Sequence, residues 1–331
     1  MKFTFAEKLI SGLKAEQLDA IGLTEHDFKE LTEVIACKAI TNMTKNPAGL
    51  PADLMKMLLP VLGSTKLSDV KKEFVTEEKL SFDVCGETRN VTLKYYPCPD
   101  RYKKNDGINR MILMVHGFQS CDTFMLRYAQ NYFVHGFDVV IFDQRGHNEA
   151  DKVTCTMGYL EAFDVVEIAK HLRNKLGANA IIGVQGESYG SATTCQAMDK
   201  LAEITQFSVV DCGYSDMDEL ARWIEKLFVP YEKESLAKLV DLLSDINGIK
   251  FSDIKPIEHV AATPADYPVM FIHGGIDFFV CTHFSKDMYE AKQGKKRIKI
   301  YRNCFHAMSQ ALHKKSYQKQ VNKFLKENEI I

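Results

Sequence analysis

The segment that most constrains the fold of this chain is Gly-Glu-Ser-Tyr-Gly at residues 186–190. It directly follows an apolar run, residues 180–184, that is typical of a buried β-strand, and residues 191–194 can continue as a helix. A serine between two such elements occupies a sharp turn that strains its backbone and lifts its hydroxyl above the edge of a sheet. Flanking glycines let the strand and the helix approach each other closely. The segment therefore predicts a strand–turn–helix unit in which Ser188 is a candidate nucleophile.

A base and an acid for such a nucleophile follow downstream. Acyl transfer by serine needs a base that takes the hydroxyl proton and an acid that orients the base. Residues 269–273 predict a buried strand, and the loop after it would carry Asp277 at the carboxyl end of that strand. Residues 297–301 predict a final strand, and His306 lies in the loop that follows. We therefore predict Asp277 as the orienting acid and His306 as the general base.

Alternatives exist for both of these roles. Asp211 also ends a predicted strand, residues 207–210, and could reach the base from a neighbouring position, although we prefer Asp277. Three other histidines lie beside predicted strand ends: His116, His147 and His273. A histidine beside a glycine turn usually bonds the loop backbone rather than transferring protons, so these three are interpreted as structural.

Backbone amides would have to stabilise the negative oxygen of the tetrahedral intermediate. Residues 111–115 predict a buried strand that runs into a turn beginning at His116. In such a turn the N–H of Phe118, or alternatively that of Gln119, could point at the oxyanion together with the N–H of Tyr189. We therefore predict Phe118 and Tyr189 as the two oxyanion-hole donors.

Further short motifs accompany these elements. They lie at residues 116–118, 143–147, 156–159, 186–190, 211–214, 273–277 and 305–307. In their order and approximate spacing, over about residues 74–325, the chain resembles the α/β-hydrolase superfamily, whose triads also follow the order Ser, Asp, His. Within it, the chain is similar to bacterial serine hydrolases and carboxylesterases known mainly by homology. The resemblance implies ester hydrolysis, although such families also contain thioesterases, amidases, peptidases and acyltransferases.

The resemblance and the strand patterns predict an α/β-hydrolase fold, an α/β architecture with a mostly parallel central sheet flanked by helices. An alternating pattern that starts at Glu73 predicts an antiparallel hairpin before the parallel core. Residues 1–72 carry helical patterns alone and predict a helical N-terminal extension, which would pack on the domain, form a dimer contact or act as a lid. The hydrolase domain would span residues 73–331, with a small helical cap inserted at about residues 215–260.

The predicted cap would supply one wall of an apolar pocket for the acyl or alcohol group. The predicted pocket residues are Gln119, Trp223, Phe228 and Phe278. The alternative is that the aromatic residues of the cap only pack it against the domain.

Composition excludes several other classes of protein. A formal net charge of −2 without a basic block argues against nucleic-acid binding. No segment approaches the roughly 18 apolar residues of a membrane span, and the first residues lack the apolar centre of a signal peptide, so a cytoplasmic location is predicted. Nine cysteines without a C-x-x-C pair predict reduced thiols. A zinc site at Cys281, His283, Cys304 and His306 is the alternative, but the triad explains His306 better, so neither a metal nor a cofactor is predicted.

Together these features predict a serine hydrolase that cleaves carboxylic esters of small or medium apolar acyl groups through an acyl-enzyme intermediate. The predicted partner is a small-molecule ester, and a homodimer through the N-terminal extension is an open alternative. Competing functions are a thioesterase or acyltransferase, a peptidase, for which the sequence offers no amine-terminus recognition site, or a catalytically silent hydrolase fold used for binding.

Overall fold

A computed structural model of the chain describes residues 74–118, 120–148, 150, 153, 155–228 and 249–331, with the backbone alone at residues 225–228. The predicted N-terminal extension and the centre of the predicted cap lie outside these ranges. The helical character of the extension and its part in a homodimer therefore stay predictions. Within the described ranges, no helix combines the length and the apolar character that crossing a membrane requires.

The described residues form one eight-stranded sheet with the strand order β1-β2-β4-β3-β5-β6-β7-β8. Its strands are β1 (Thr76–Val84), β2 (Glu87–Tyr96), β3 (Arg110–Val115), β4 (Asp138–Ile141), β5 (Ile181–Glu187), β6 (Phe207–Asp211), β7 (Val269–Gly274) and β8 (Lys296–Tyr301). Strand β2 pairs antiparallel with β1 and β4, whereas all other neighbours are parallel. The predicted antiparallel hairpin and parallel core are both confirmed.

Helices connect the strands and cover the sheet. They are α1 (Gln130–Phe133), α2 (Tyr159–Leu176), α3 (Tyr189–Gln196), α4 (Met198–Leu201), α5 (Met217–Phe228), α6 (Pro256–Ala262), α7 (His283–Ala291), α8 (Ser309–Leu312) and α9 (Lys314–Glu327). Short 3₁₀ helices occupy Asp100–Tyr102, Asp122–Tyr128 and Phe251–Asp253. Helix α5 occupies the first part of the predicted cap, where the sequence is rich in helix formers.

The core lies on both faces of the sheet, as strand β3 illustrates. All six residues of β3 are buried. Ile112 and Met114 belong to the apolar cluster that includes helix α9, whereas Leu113 and Val115 belong to the cluster that includes helix α2. Because neighbouring side chains of a strand point to opposite faces, a strand covered on both faces is apolar on both, as residues 111–115 are. Arg110, at the first position of β3, is buried in an ion pair with Asp106. This arrangement brings the carboxyl ends of the parallel strands to one edge of the sheet, where the candidate site lies.

Candidate active site

Ser188 occupies the turn between strand β5 and helix α3. Its backbone has φ 53° and ψ −120°, a conformation that side-chain-bearing residues rarely adopt. The Ser188 N–H donates a hydrogen bond to the backbone oxygen of Asp211 at 2.7 Å, which ties the turn to the end of the neighbouring strand β6. The strained strand–turn–helix unit is therefore present as the sequence predicts.

Two glycines permit this turn because a side chain at either position would collide with backbone. A Cβ atom on Gly186 would lie 2.5 Å from the backbone oxygen of Gly190, and a Cβ atom on Gly190 would lie 2.2 Å from that of Val115. Real Cβ contacts essentially never become this short. The glycines of the segment are thus required by the close approach of strand β5, helix α3 and strand β3.

The side chains of Ser188, His306 and Asp277 form one hydrogen-bonded chain. The Ser188 Oγ lies 2.7 Å from His306 Nε2, and His306 Nδ1 lies 2.7 Å from Asp277 Oδ2. The Asp277 side chain is buried, whereas that of His306 stays 22 % exposed and so remains open to the solvent side. The structure thus brings together the three residues that the sequence marks as nucleophile, base and acid.

Asp277 is held as a carboxylate. Its Oδ1 accepts hydrogen bonds from the backbone N–H groups of Phe279 and Val280 at 3.0 and 2.9 Å. Burial by itself raises the pKa of Asp277, but the hydrogen bonds from His273 and His306 outweigh burial and bring this pKa down to about 2. An ionised, fixed carboxylate beside His306 Nδ1 is the state that holds a base in one tautomer and stabilises it when it gains a proton.

The carboxyl group of Asp211, the alternative acid, contacts Tyr128. Its Oδ2 lies 3.4 Å from the hydroxyl of Tyr128, and its side chain is fully buried. Burial raises the pKa of Asp211 above the ordinary value for aspartate. The residue contributes to the site through its backbone oxygen, which accepts the Ser188 N–H, while its carboxyl group turns toward the tyrosine.

A buried ion pair that was not predicted from the sequence lies next to the Ser188 turn. Glu187, the register partner of Asp211, forms an ion pair with Arg127 and accepts a hydrogen bond from the hydroxyl of Tyr128 at 2.5 Å. All of these side chains are buried. The sequence did hold a signal for this ion pair, namely the charged Glu187 at the end of an apolar strand. A carboxylate that is buried at such a position needs a partner.

We expect Glu187→Gln to lower the free energy of unfolding by about 3 kcal/mol, because removing one charge leaves the buried Arg127 guanidinium without its counterion. Urea unfolding followed by circular dichroism measures this change. Glu203→Gln, at an exposed position, is the matched control and should leave the midpoint within experimental error. Equal midpoints for the two variants would contradict a stabilising role for the ion pair.

The turn after strand β3 is held by His116. His116 Nε2 accepts the Gln144 N–H at 2.9 Å, so the proton of the neutral ring resides on Nδ1, which donates to the Gly117 oxygen at 2.7 Å. Burial lowers the pKa of His116 to about 4, which keeps the ring neutral. Because the C=O and N–H of a trans peptide point in opposite directions, the bond to the Gly117 oxygen fixes the direction of the Phe118 N–H.

The two predicted oxyanion donors lie on adjoining elements. Phe118 follows Gly117, whose position is close enough to the nucleophile that an added Cβ would lie 3.4 Å from the Ser188 Cβ. Tyr189 is the first residue of helix α3, so its N–H has no acceptor within that helix. The rings of Phe118 and Tyr189 also contact each other, with centroids 5.9 Å apart. Gln119, the alternative donor, lies outside the described residues.

The three histidines interpreted as structural, His116, His147 and His273, contact backbone oxygens. His116 bonds Gly117, and His147 Nδ1 lies 2.8 Å from the oxygen of Arg145. His273 Nε2 lies 2.8 Å from the oxygen of Val280. His273 has a further contact that the sequence did not indicate, because the same nitrogen lies 3.1 Å from Asp277 Oδ2.

Of the predicted pocket residues, Trp223 and Phe278 are in contact. The indole N–H of Trp223 donates to the backbone oxygen of Phe278 at 2.8 Å, so helix α5 is bonded to the loop that carries Asp277. Phe278 is 52 % exposed, and its ring packs against Phe305 with centroids 6.2 Å apart. Phe279, which the sequence analysis also missed, lies with its ring centroid 5.3 Å from that of His306. Gln119 and the side chain of Phe228 lie outside the described residues.

One cluster of potential metal ligands coincides with the site. Ligand atoms of Cys212, Asp277 and His306 all lie within 4.8 Å of one another. Asp277 and His306 are already hydrogen-bonded to each other, and burial raises the pKa of the Cys212 thiol well above its ordinary value, which disfavours the thiolate that binds metals. His283, a member of the alternative zinc site, instead contacts Glu219 at 2.9 Å. The eight cysteines within the described ranges are unpaired.

Two comparisons of the sequence with known proteins found matches over more than half of the chain. Residues 123–329 match the prolyl oligopeptidase family. An uncharacterized protein of Bacillus subtilis, YqkD, is 27% identical over 261 residues, which cover 78% of this chain and 82% of that protein.

Solved structures of similar fold include both esterases and a peptidase. The esterase Pf2001 of Pyrococcus furiosus aligns over 80% of this chain and 93% of its own, with 16% identity and a TM-score of 0.60. Est1E of Butyrivibrio proteoclasticus, solved with ferulic acid, aligns over 76% and 100%, with 15% identity and a TM-score of 0.59. The acylaminoacyl peptidase of Pyrococcus horikoshii aligns over 76% and 41%, with 18% identity and a TM-score of 0.53. At these identities the likeness shows the fold, which confirms the predicted α/β-hydrolase architecture.

Proposed function

We propose that this chain, which belongs to the prolyl oligopeptidase family within the α/β-hydrolase superfamily, cleaves carboxylic esters of small or medium apolar acyl groups. The protein is a serine hydrolase of the α/β-hydrolase type, and Ser188, His306 and Asp277 are proposed as its catalytic residues. The observation that carries this proposal is the continuous hydrogen-bonded chain from the Ser188 hydroxyl through His306 to the Asp277 carboxylate, with 2.7 Å at each link.

The proposed reaction begins with proton transfer from the Ser188 hydroxyl to His306 Nε2, while Ser188 Oγ forms a bond to the carbonyl carbon of the ester. The backbone N–H groups of Phe118 and Tyr189 are proposed to stabilise the resulting oxyanion. Collapse of the intermediate breaks the bond to the alcohol oxygen, which receives the proton from His306. The products of this half are the free alcohol and an acyl group on Ser188.

The second half returns the enzyme to its starting state. A water molecule gives a proton to His306 and attacks the acyl carbon, and the second tetrahedral intermediate then releases the acid as Ser188 regains its proton. Throughout, Asp277 accepts the His306 Nδ1–H and stabilises the positive charge on the ring. Its ionised state at neutral pH follows from a pKa of about 2.

An apolar substrate is supported by the aromatic side chains around the base. Phe278, Phe279 and Phe305 come from the two loops that carry Asp277 and His306, and each of them is at least 37 % exposed. Exposed aromatic rings beside a reacting group favour an apolar acyl or alcohol group over a charged one. The second candidate function is a peptidase, which the family match favours, because the same serine chemistry cleaves amides.

Two measurements test the proposed function. A fluorophosphonate probe should label the protein at Ser188, as identified by peptide mass spectrometry, and absence of labelling would contradict the serine mechanism. A panel of p-nitrophenyl esters of graded acyl length, matched thioesters and aminoacyl amides should then give the highest kcat/KM for esters with short or medium acyl chains. Faster cleavage of the amides would establish the peptidase instead, and faster cleavage of the thioesters a thioesterase.

We expect Trp223→Ala to change the preference between short and long acyl chains by up to about 3 kcal/mol, about the contribution of one buried aromatic side chain. The measurement is the ratio of kcat/KM for a butyryl and a decanoyl ester. Trp223→Phe is the matched control, because it keeps an aromatic ring and removes the N–H that bonds Phe278. An unchanged ratio in the alanine variant would contradict a role for Trp223 in the pocket.

A further inference from the structure

A second histidine, fully buried, contacts the same oxygen of Asp277 as His306 does. His273 Nε2 lies 3.1 Å from Asp277 Oδ2, and His306 Nδ1 lies 2.7 Å from that atom. His273 is the fifth of the six residues of strand β7, whereas His306 comes from the loop after strand β8. The carboxylate therefore lies between two imidazole rings, of which one is open to the solvent side and the other is closed off from it.

The surroundings of His273 define its tautomer. Nε2 faces two acceptors, Asp277 Oδ2 and the backbone oxygen of Val280 at 2.8 Å, so this nitrogen carries a proton. Nδ1 lies 2.7 Å from the hydroxyl of Ser285, which can donate to it. Each ring nitrogen thus has a partner while the ring is neutral, and His273 acts toward Asp277 as a donor.

The resulting chain of hydrogen bonds is symmetric about the carboxylate: Ser188, His306, Asp277, His273 and Ser285. In each half a serine hydroxyl lies 2.7 Å from a histidine, and that histidine bonds Asp277 Oδ2. The two halves differ in their access to substrate. Ser285 is 1 % exposed and lies within helix α7, so the inner serine cannot reach a substrate and its half can only act through Asp277.

We propose that His273 is a positioning residue that holds Asp277 Oδ2 in line with His306; this inference rests on the proposed function. Two backbone N–H groups, those of Phe279 and Val280, already bind Oδ1. With His273 and His306 on Oδ2, N–H donors surround both oxygens of the carboxylate, which resists rotation of the group. Loss of the His273 donor leaves Oδ2 bonded to His306 alone, so the carboxylate can rotate more readily out of line with His306 Nδ1 while the ring is neutral.

A purely structural alternative is that His273 only closes the loop through its bond to Val280. Two substitutions separate this role from positioning. His273→Gln can keep an N–H near Asp277, since the glutamine amide nitrogen reaches about as far as histidine Nε2. His273→Leu has similar bulk and no donor. If His273 positions the acid, glutamine should rescue the reaction and leucine should not.

The experiment compares kcat and KM of the purified full-length variants on the best ester of the panel. We expect His273→Leu to lower kcat about 10- to 100-fold, the range found when outer hydrogen-bond partners of metal-bound histidines are removed, with KM within about threefold of wild type. His273→Gln should keep kcat within about fivefold. A folded leucine variant with wild-type kcat, or a glutamine variant as impaired as the leucine variant, would overturn the inference.

Two further measurements test the role of His273 if the leucine variant does not fold or if the proposed function is wrong. If His273→Leu does not fold, Ser285→Ala removes a single oxygen; it should lower kcat about threefold or more at constant KM, and an unchanged kcat would count against the inference. Fluorophosphonate labelling of Ser188 in wild type separates this inference from the proposed function. If labelling fails, the positioning role of His273 is tested by the downfield proton NMR resonance of His306 Nδ1–H. This resonance should persist in the glutamine variant and broaden or disappear in the leucine variant. Equal spectra of the two variants would overturn the positioning role.

Discussion

Replacing Ser188 by alanine should lower turnover by roughly four orders of magnitude or more, because the proposed nucleophile, base and acid would act as one unit. His306→Ala should cause a loss of similar size, and the double variant should be little worse than either single one. The measurement is kcat/KM on the best ester, with circular dichroism to establish folding. Ser81→Ala, an exposed serine on strand β1, is the matched control and should retain full activity.

The residual rate decides between the proposed mechanism and its alternatives. A Ser188→Ala variant with substantial activity would show that another group attacks the substrate. Non-additive losses are the expected signature of a triad, whereas independent losses that multiply in the double variant would indicate that Ser188 and His306 serve separate steps.

Asp277→Asn should lower kcat about 10⁴-fold, while Asp211→Asn should lower it by about tenfold at most. An asparagine at position 277 keeps the shape of the side chain but removes the charge that selects the His306 tautomer and stabilises the charged ring. At position 211 the carboxyl group faces Tyr128, and the residue contacts Ser188 through its backbone oxygen, which asparagine retains. Both variants should be compared with wild type by kcat on one ester. The reverse ranking would assign the acid to strand β6.

Local patterns were sufficient to predict the elements that carry the site. The apolar run before Gly186 predicts strand β5, and the turn geometry at Ser188 follows from the glycines on either side. The positions of Asp277 and His306 after predicted strands also follow from sequence, because parallel strands end at a common edge. The alternative at Asp211 could not be decided in this way, since strands β6 and β7 are neighbours and both end beside the turn.

Contacts between distant segments were not predictable from these patterns. The bond between Tyr128 and Glu187 joins residues 59 positions apart, and that between Trp223 and Phe278 joins residues 55 positions apart. The bond between His273 and Asp277 was not predicted for a different reason. His273 precedes Asp277 by four residues, and only the folding back of the loop brings the side chain of Asp277 onto the ring. A strand pattern places His273 inward but does not say which group it meets there.

The close packing around Gly190 bears on how inactive relatives of such a chain are recognised. Alignment of the three reactive side chains is the usual criterion for an intact hydrolase, yet a methyl group on Gly190 would strike the backbone oxygen of Val115, in the strand that leads into the Phe118 turn. Two amides on separate elements would then lose their common spacing while serine, aspartate and histidine stayed in place. A homologue with a side chain in place of Gly190 is therefore a candidate pseudoenzyme, even when its triad is complete.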